Sequence, residues 1–117
     1  MKRLIPFTAL AALGATSAQA TGGMTCKTAG PRAIEVSVGF GHVAGAPIIA
    51  SRLIDNGRAI PVRAPQWWLD NQELRLVLTD PAGQRREAII KTRRNGLVYD
   101  GSLWRGAQRR WVRCRES

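Results

Sequence analysis

The stretch LVYDGSLWRGAQRRWVRCR, which covers Leu97–Arg115, decides the fold. Apolar and polar side chains alternate on both sides of Gly106-Ala107, and that dipeptide is a turn signal. A turn at this point sets Trp104 opposite Arg109 in the two flanking strands. The segment therefore predicts an antiparallel β-hairpin at the end of the chain.

The same period of two recurs along most of the sequence, as in Ile34–Phe40 and in Leu74–Leu78. Residues typical of turns separate these runs, and no stretch of useful length has the periodicity of an amphipathic helix. The pattern predicts an all-β chain, folded as a small antiparallel barrel or sandwich of about seven or eight strands.

Two Asn-Gly dipeptides predict tight hairpins, because both turn positions tolerate a positive φ. The register set by Asn56-Gly57 pairs Asp55 with Arg58. The register set by Asn95-Gly96 pairs Lys91 with Asp100. Between them, the run Asp80-Pro81-Ala82-Gly83 has the residue preferences of a type I turn.

Residues 64–72 break the alternation, and they contain Pro65 followed by Trp67 and Trp68 side by side. Leu69-Asp70-Asn71 is expected to form a loop or a single helical turn. On a strand one of the two tryptophans must face outward, whereas in a loop both can lie partly exposed. The two indoles either close an open end of the barrel or form a loop contact to a sugar or a protein.

The N-terminal residues 1–20 have the features of a secretory signal peptide: Lys2-Arg3, an apolar stretch and the cleavage motif Ala18-Gln19-Ala20. Residues 21–117 are then one mature domain in the periplasm or outside the cell. The residues before Cys26 do not form a lipobox. No later apolar run reaches the ~20 residues of a membrane span.

Cys26 and Cys114 lie close to the two ends of this mature domain. Two cysteines in an exported protein are expected to form one disulfide. The bond would join the first strand to the last. A metal site is not expected, because two isolated cysteines and one histidine cannot fill a tetrahedral shell.

Basic residues outnumber acidic ones by 18 to 8 in the full chain. Lys2 and Arg3 fall in the signal segment, which leaves 16 basic and 8 acidic residues and a mature net charge of +8. A field of this sign attracts polyanions such as acidic polysaccharides, anionic headgroups or nucleic acid. Nucleic acid is not expected as a partner of an exported protein.

The alternation of the final hairpin collects arginines and indoles on one face, which we predict to bind an anionic group; its residues are Trp104, Arg109, Trp111, Arg113 and Arg115. An arginine stacked on an indole keeps its guanidinium edge free for a carboxylate or a phosphate. The alternative is a solvated face on which arginine stems cover tryptophan. Trp67 and Trp68 are expected at the margin of this face.

An enzyme is not expected. His42 is the single histidine, and the spacing of the sequence offers it neither a nucleophile nor an orienting carboxylate. The carboxylates are scattered, and no phosphate-binding loop or cofactor motif is present. No cofactor and no catalytic residue is predicted.

The layout resembles that of the small periplasmic inhibitors of c-type lysozyme, through Cys26, residues 99–106 (YDGSLWRG) and Cys114. The resemblance implies an antiparallel β-barrel with a signal segment and a disulfide that fastens the end of the chain. The family's Ser-Gly-x-Arg-Tyr segment has no counterpart here, so no inhibitory residue is transferred. Family members bind a basic enzyme, which a chain of net charge +8 would repel.

These observations predict a non-enzymatic, exported β-barrel protein that binds an anionic envelope polymer or an acidic protein through its Arg/Trp face. The alternative is an enzyme inhibitor of the lysozyme-inhibitor type that acts through a protruding loop, for which residues 64–72 are the candidate.

Overall fold

Nine β-strands and no helix make up residues 22–41 and 48–117, the part of the chain that this computed structural model describes. The expected signal segment and His42 lie outside the described residues. The strands are β1 (Gly23–Thr28), β2 (Ile34–Phe40), β3 (Ile48–Asp55), β4 (Arg58–Ile60), β5 (Arg63–Leu69), β6 (Glu73–Thr79), β7 (Arg86–Asn95), β8 (Val98–Arg105) and β9 (Gln108–Glu116). The all-β prediction is confirmed. Within the described ranges no helix is long and apolar enough to cross a membrane.

The strands form one antiparallel sheet in the order β4-β3-β2-β1-β9-β8-β7-β6-β5, curled into a half-barrel. The two edge strands, β4 and β5, are consecutive in the chain and only residues 61–62 separate them. The sheet must therefore curl far enough to bring its edges near each other. The Ser51 hydroxyl donates a hydrogen bond to the Val62 carbonyl at 3.3 Å across this gap.

The disulfide lies at the middle of the sheet. Strand β1 pairs with β9, and this register sets Cys26 directly opposite Cys114, to which it is bonded. Both cysteines are fully buried. The predicted link between the first and the last described strand is confirmed.

The concave face of the sheet holds the core, which draws apolar residues from both halves of the half-barrel. Its largest fully buried side chains are Met24, Val36, Leu53, Leu74, Leu76, Leu78, Ile90, Leu103 and Val112. At one end of the core, Trp67 of β5 packs on Phe40 of β2 with ring centroids 5.2 Å apart. These two strands lie in opposite halves of the sheet, so the contact bridges the interior.

The predicted turn at Asn56-Gly57 is confirmed, since Asp55 pairs with Arg58 and both turn residues have positive φ. The turn after Asp80 is also present, with the Gly83 N–H donating to the Asp80 carbonyl at 2.8 Å. Pro61 follows the last residue of the short edge strand β4, so its lack of an N–H costs the sheet no hydrogen bond.

The register predicted for Asn95-Gly96 is wrong by two residues. Lys91 lies opposite Ser102, and Arg93 is the residue opposite Asp100. Asn95 ends strand β7, and Gly96 takes the first central position of the turn with φ +67°. A positive φ at the first central position alone is the pattern of a type II′ turn, which shifts the pairing along the chain.

Residues 64–72 do not form the protruding loop named as a candidate, whereas the loop expected at Leu69-Asp70-Asn71 is present from Asp70 on. Residues 63–69 form the edge strand β5, and only residues 70–72 make the turn into β6. Pro65 is tolerated because the β5–β6 register shifts between Arg63 and Gln66, and because β5 is an edge strand. The two adjacent tryptophans consequently point to opposite faces of the sheet.

Candidate anion-binding face

The convex side of the sheet, here called the outer face, carries the predicted hairpin face. Arg109 lies opposite Trp104, while Val112 and Cys114 on the alternate positions are buried. These positions alternate with the buried ones, so one side of the sheet carries Trp104, Arg109, Trp111, Arg113 and Arg115.

Three tryptophans of the outer face each have a cation beside the ring. The Arg75 guanidinium carbon lies 6.0 Å from the Trp68 ring centroid, and the Lys91 ammonium lies 5.8 Å from that of Trp104. Arg113 stacks more closely on Trp111, with its guanidinium carbon 5.2 Å from the ring centroid. Distances of this size fall within the range of cation–π attraction, so each indole holds a positive charge at the surface.

The fourth tryptophan does not join this set. Trp67 is half-buried and packs against Phe40 and the core. Trp68, its neighbour, is 51% exposed on the outer face, close to the 52% of Trp111. The predicted Trp67–Trp68 contact pair is thus divided between the interior and the surface.

Trp68 is held in place by the turn that follows it. Its indole N–H donates to Oδ2 of Asp70 at 2.9 Å, and Oδ1 of the same carboxylate accepts the backbone N–H groups of Gln72 and Glu73. These bonds hold the pKa of Asp70 below its ordinary value, and the bond from the Gln72 N–H has the largest effect. The exposed indole is therefore preorganised rather than free to rotate.

The guanidinium edge of Arg113 is not free, which corrects the prediction. Arg113 donates to both carboxylate oxygens of Asp100, from Nε at 2.7 Å and from Nη2 at 3.0 Å. Asn95 adds a third donor to the carboxylate at 3.0 Å. The predicted turn at Gly106-Ala107 already implied this pairing, because the same register sets Asp100 opposite Arg113.

The bond from Arg113 is the main cause that lowers the pKa of Asp100. A lowered carboxyl pKa stabilises the fold above the unfolded value of about 3.9, and this contribution is lost as the pH falls through the folded pKa. Urea unfolding should therefore show that Asp100→Asn is less stable than the wild type at pH 7, with the difference shrinking as the pH falls below the unfolded value of about 3.9.

Glu35→Gln is the matched control for this pH series, since Glu35 is a carboxylate of the outer face that forms no ion pair among the described residues. A difference between Asp100→Asn and the wild type that stays constant from pH 7 to about pH 2 would contradict the assignment.

Arg109 and Arg115 keep their charge available at the surface. Arg109 donates from Nε to the Ser102 hydroxyl at 2.8 Å, and both arginines are exposed. Within the described residues neither has a carboxylate within ion-pair distance, and the same holds for Lys91. These cations are therefore open to a ligand.

Several carboxylates are engaged in structural contacts instead. Arg105 closes one end of the half-barrel with bonds to Asp55 at 2.9 Å and to Glu87 at 3.1 Å. Asp80 accepts backbone N–H groups from its own turn, chiefly that of Arg85, which lowers its pKa. These three carboxylates are engaged by partners within the fold, so they do not neutralise the cations of the outer face.

Sequence reasoning missed Arg75 and Lys91, whose contribution depends on the register of β6, β7 and β8. The register of β6 and β7 sets Arg75 opposite Lys91, and the corrected register of β7 and β8 brings Lys91 beside Trp104. The type II′ pattern at Gly96 was the only local signal for it.

The described residues contain no group of three or more histidine, cysteine or carboxylate side chains arranged to hold a metal ion. Compared with protein families, with curated proteins and with solved structures, the chain matches none of them.

Proposed function

We propose that this chain is an exported, non-enzymatic binding protein whose outer face contacts an anionic polymer of the cell envelope. The observation that supports this most is the repetition of one element, an outward-facing indole with a cation beside it, three times on one face. A repeating polymer that carries rings and negative charges matches a repeated surface element better than a single acidic side chain does.

Charge supports the same proposal. Arg109, Arg115 and Lys91 lie on the outer face without a carboxylate partner among the described residues. A mature net charge of +8 adds a field that draws polyanions toward the surface. The alternative of an inhibitor with a protruding loop loses its candidate, because residues 63–69 are a strand of the sheet.

Capture of envelope material on the immobilised protein tests the proposal. Binding should be strong at low salt and should fall steeply by 1 M salt, where the Debye length drops to about 3 Å. It should also survive protease treatment of the extract. Loss of capture after protease treatment would show that the partner is an acidic protein and not a polymer.

Arg109→Ala/Arg115→Ala should weaken capture by about tenfold or more, since roughly 1.4 kcal/mol is at the low end for a bond to a charged group. The control is Arg32→Ala/Arg58→Ala, which removes the same charge from a turn and from the edge strand β4. Equal losses in the two variants would show that only total charge matters, and would contradict a role for the outer face.

A further inference from the structure

A shallow groove crosses the outer face over strands β5 to β8, between Trp68 and Trp104. It consists of two adjoining depressions that share Val77, Ile89 and Lys91. We call it the Trp68–Trp104 groove. Four of the five residues that the sequence assigned to the anion-binding face lie outside its lining, on β9.

The strand register divides the groove into two parallel rows. One row runs Trp68, Arg75 and Lys91 on β5, β6 and β7, each opposite the next. The other row, two residues along each strand, runs Gln66, Val77, Ile89 and Trp104. The first row, here called the cation row, holds two cations beside an indole. The second, here called the apolar row, is mainly apolar and lies next to it on the same surface.

The chemistry of the lining selects the ligand. Among the described residues no carboxylate lines the groove, and the acidic side chain beside it is Glu73, which approaches Arg75 at 3.5 Å. Arg75 and Lys91 are exposed, so both can donate hydrogen bonds to a carboxylate from solution. Val77 and Ile89 are half-buried and offer a flat apolar floor.

We propose that the Trp68–Trp104 groove binds an acidic glycan built from carboxylate-bearing pyranose rings, an inference that rests on the proposed function. The C–H faces of the rings pack on Val77, Ile89 and the indoles. The ring carboxylates pair with Arg75 and Lys91. A polyphosphate has no apolar face and would use the cation row alone, and a poly-glutamate chain lacks rings to place on the floor.

Rigid placement favours this ligand further. The Trp68 indole is fixed through its N–H by Asp70, which leaves the ring face exposed in a defined orientation. A fixed aromatic platform binds the C–H face of a sugar ring at little entropic cost. The sheet itself fixes the spacing between the cation row and the apolar row.

Calorimetric titration of the full mature chain with oligogalacturonate, polyphosphate and poly-glutamate tests the proposal. Trp68→Ala should weaken oligogalacturonate binding about three- to tenfold and change polyphosphate binding by less than about twofold. Lys91→Gln should weaken the binding of both. Trp111→Ala is the matched control, because Trp111 is equally exposed on the outer face but lies outside the groove.

Equal effects of Trp68→Ala and Trp111→Ala on oligogalacturonate would overturn the proposal, as would no effect of either. Polyphosphate or poly-glutamate could bind in a salt-dependent way while Trp68→Ala leaves the binding of all three probes unchanged. That result would contradict the glycan as the ligand and would still support an anion-binding outer face. If none of the polyanions binds, the proposed function is contradicted as well.

Discussion

Alanine in place of Gly101 is expected to destabilise the protein by about 3 kcal/mol or more, the upper end for overpacking a closed interior. A Cβ at this position would lie 2.7 Å from Cα of Thr92, and closer still to the carbonyl oxygen of Lys91. Gly101 pairs with Thr92 of β7 on one side and with Val112 of β9 on the other. Because the obstruction is backbone, the strands must separate to admit the methyl group.

Gly106→Ala is the matched control for Gly101→Ala. Gly106 has φ +60° and open space around its missing Cβ, so alanine there meets only the cost of a left-handed conformation, about 1–2 kcal/mol. Chemical denaturation should rank Gly101→Ala well below Gly106→Ala in stability. The close packing of β7 on β8 would be contradicted if Gly101→Ala cost less than about 1 kcal/mol.

Loss of the Cys26–Cys114 disulfide is expected to reduce the unfolding free energy by about 2–5 kcal/mol. The bond spans 88 positions, so it restricts almost the whole unfolded chain. Urea unfolding of Cys26→Ala/Cys114→Ala measures this loss together with the small cavity that alanine leaves.

The wild-type protein unfolded in excess reductant separates those two effects, since it keeps the side-chain volume. Its stability should fall to within about 1 kcal/mol of that of the double variant. Oxidised and reduced wild type of equal stability would show that the link contributes nothing to the fold.

The alternation and the Asn56-Gly57 turn were sufficient to predict the strands around them, because period-two burial and positive φ are local properties. Strand β5 was not predictable in this way. Trp67 and Trp68 are both apolar and adjacent, so the pattern contains no sign of which one faces outward. Trp68 is outward because Asp70 and Arg75 hold it there, and those contacts form only in the folded hairpin.

The register of β7 and β8 shows a second limit. A shift by two residues leaves every side chain on its predicted face, whereas a shift by one would invert the faces. The side of the sheet on which each residue lies was therefore predicted correctly, whereas the cross-strand partners of β7 and β8 were not. Lys91 was placed beside Asp100, and its actual position next to Trp104 supplies one of the cations of the candidate site.

Occupation of Arg113 by Asp100 changes which groups of the outer face are available to a ligand. Arg113 orients Trp111 and balances an acidic side chain, so its role is structural as much as electrostatic. The cations available for the proposed binding are those without a carboxylate partner among the described residues, of which Lys91, Arg109 and Arg115 are examples.

The indole N–H signals of the four tryptophans in a ¹⁵N-labelled protein test most directly whether the outer face is the binding surface. Single Trp→Phe variants assign the signals, and oligogalacturonate and polyphosphate are the added probes at low salt. We predict shifts for the outward Trp68, Trp104 and Trp111, largest at Trp68 and Trp104 with oligogalacturonate, and no shift for the inward Trp67. A response confined to Trp67, or unshifted outer-face signals at saturating probe, would contradict the account.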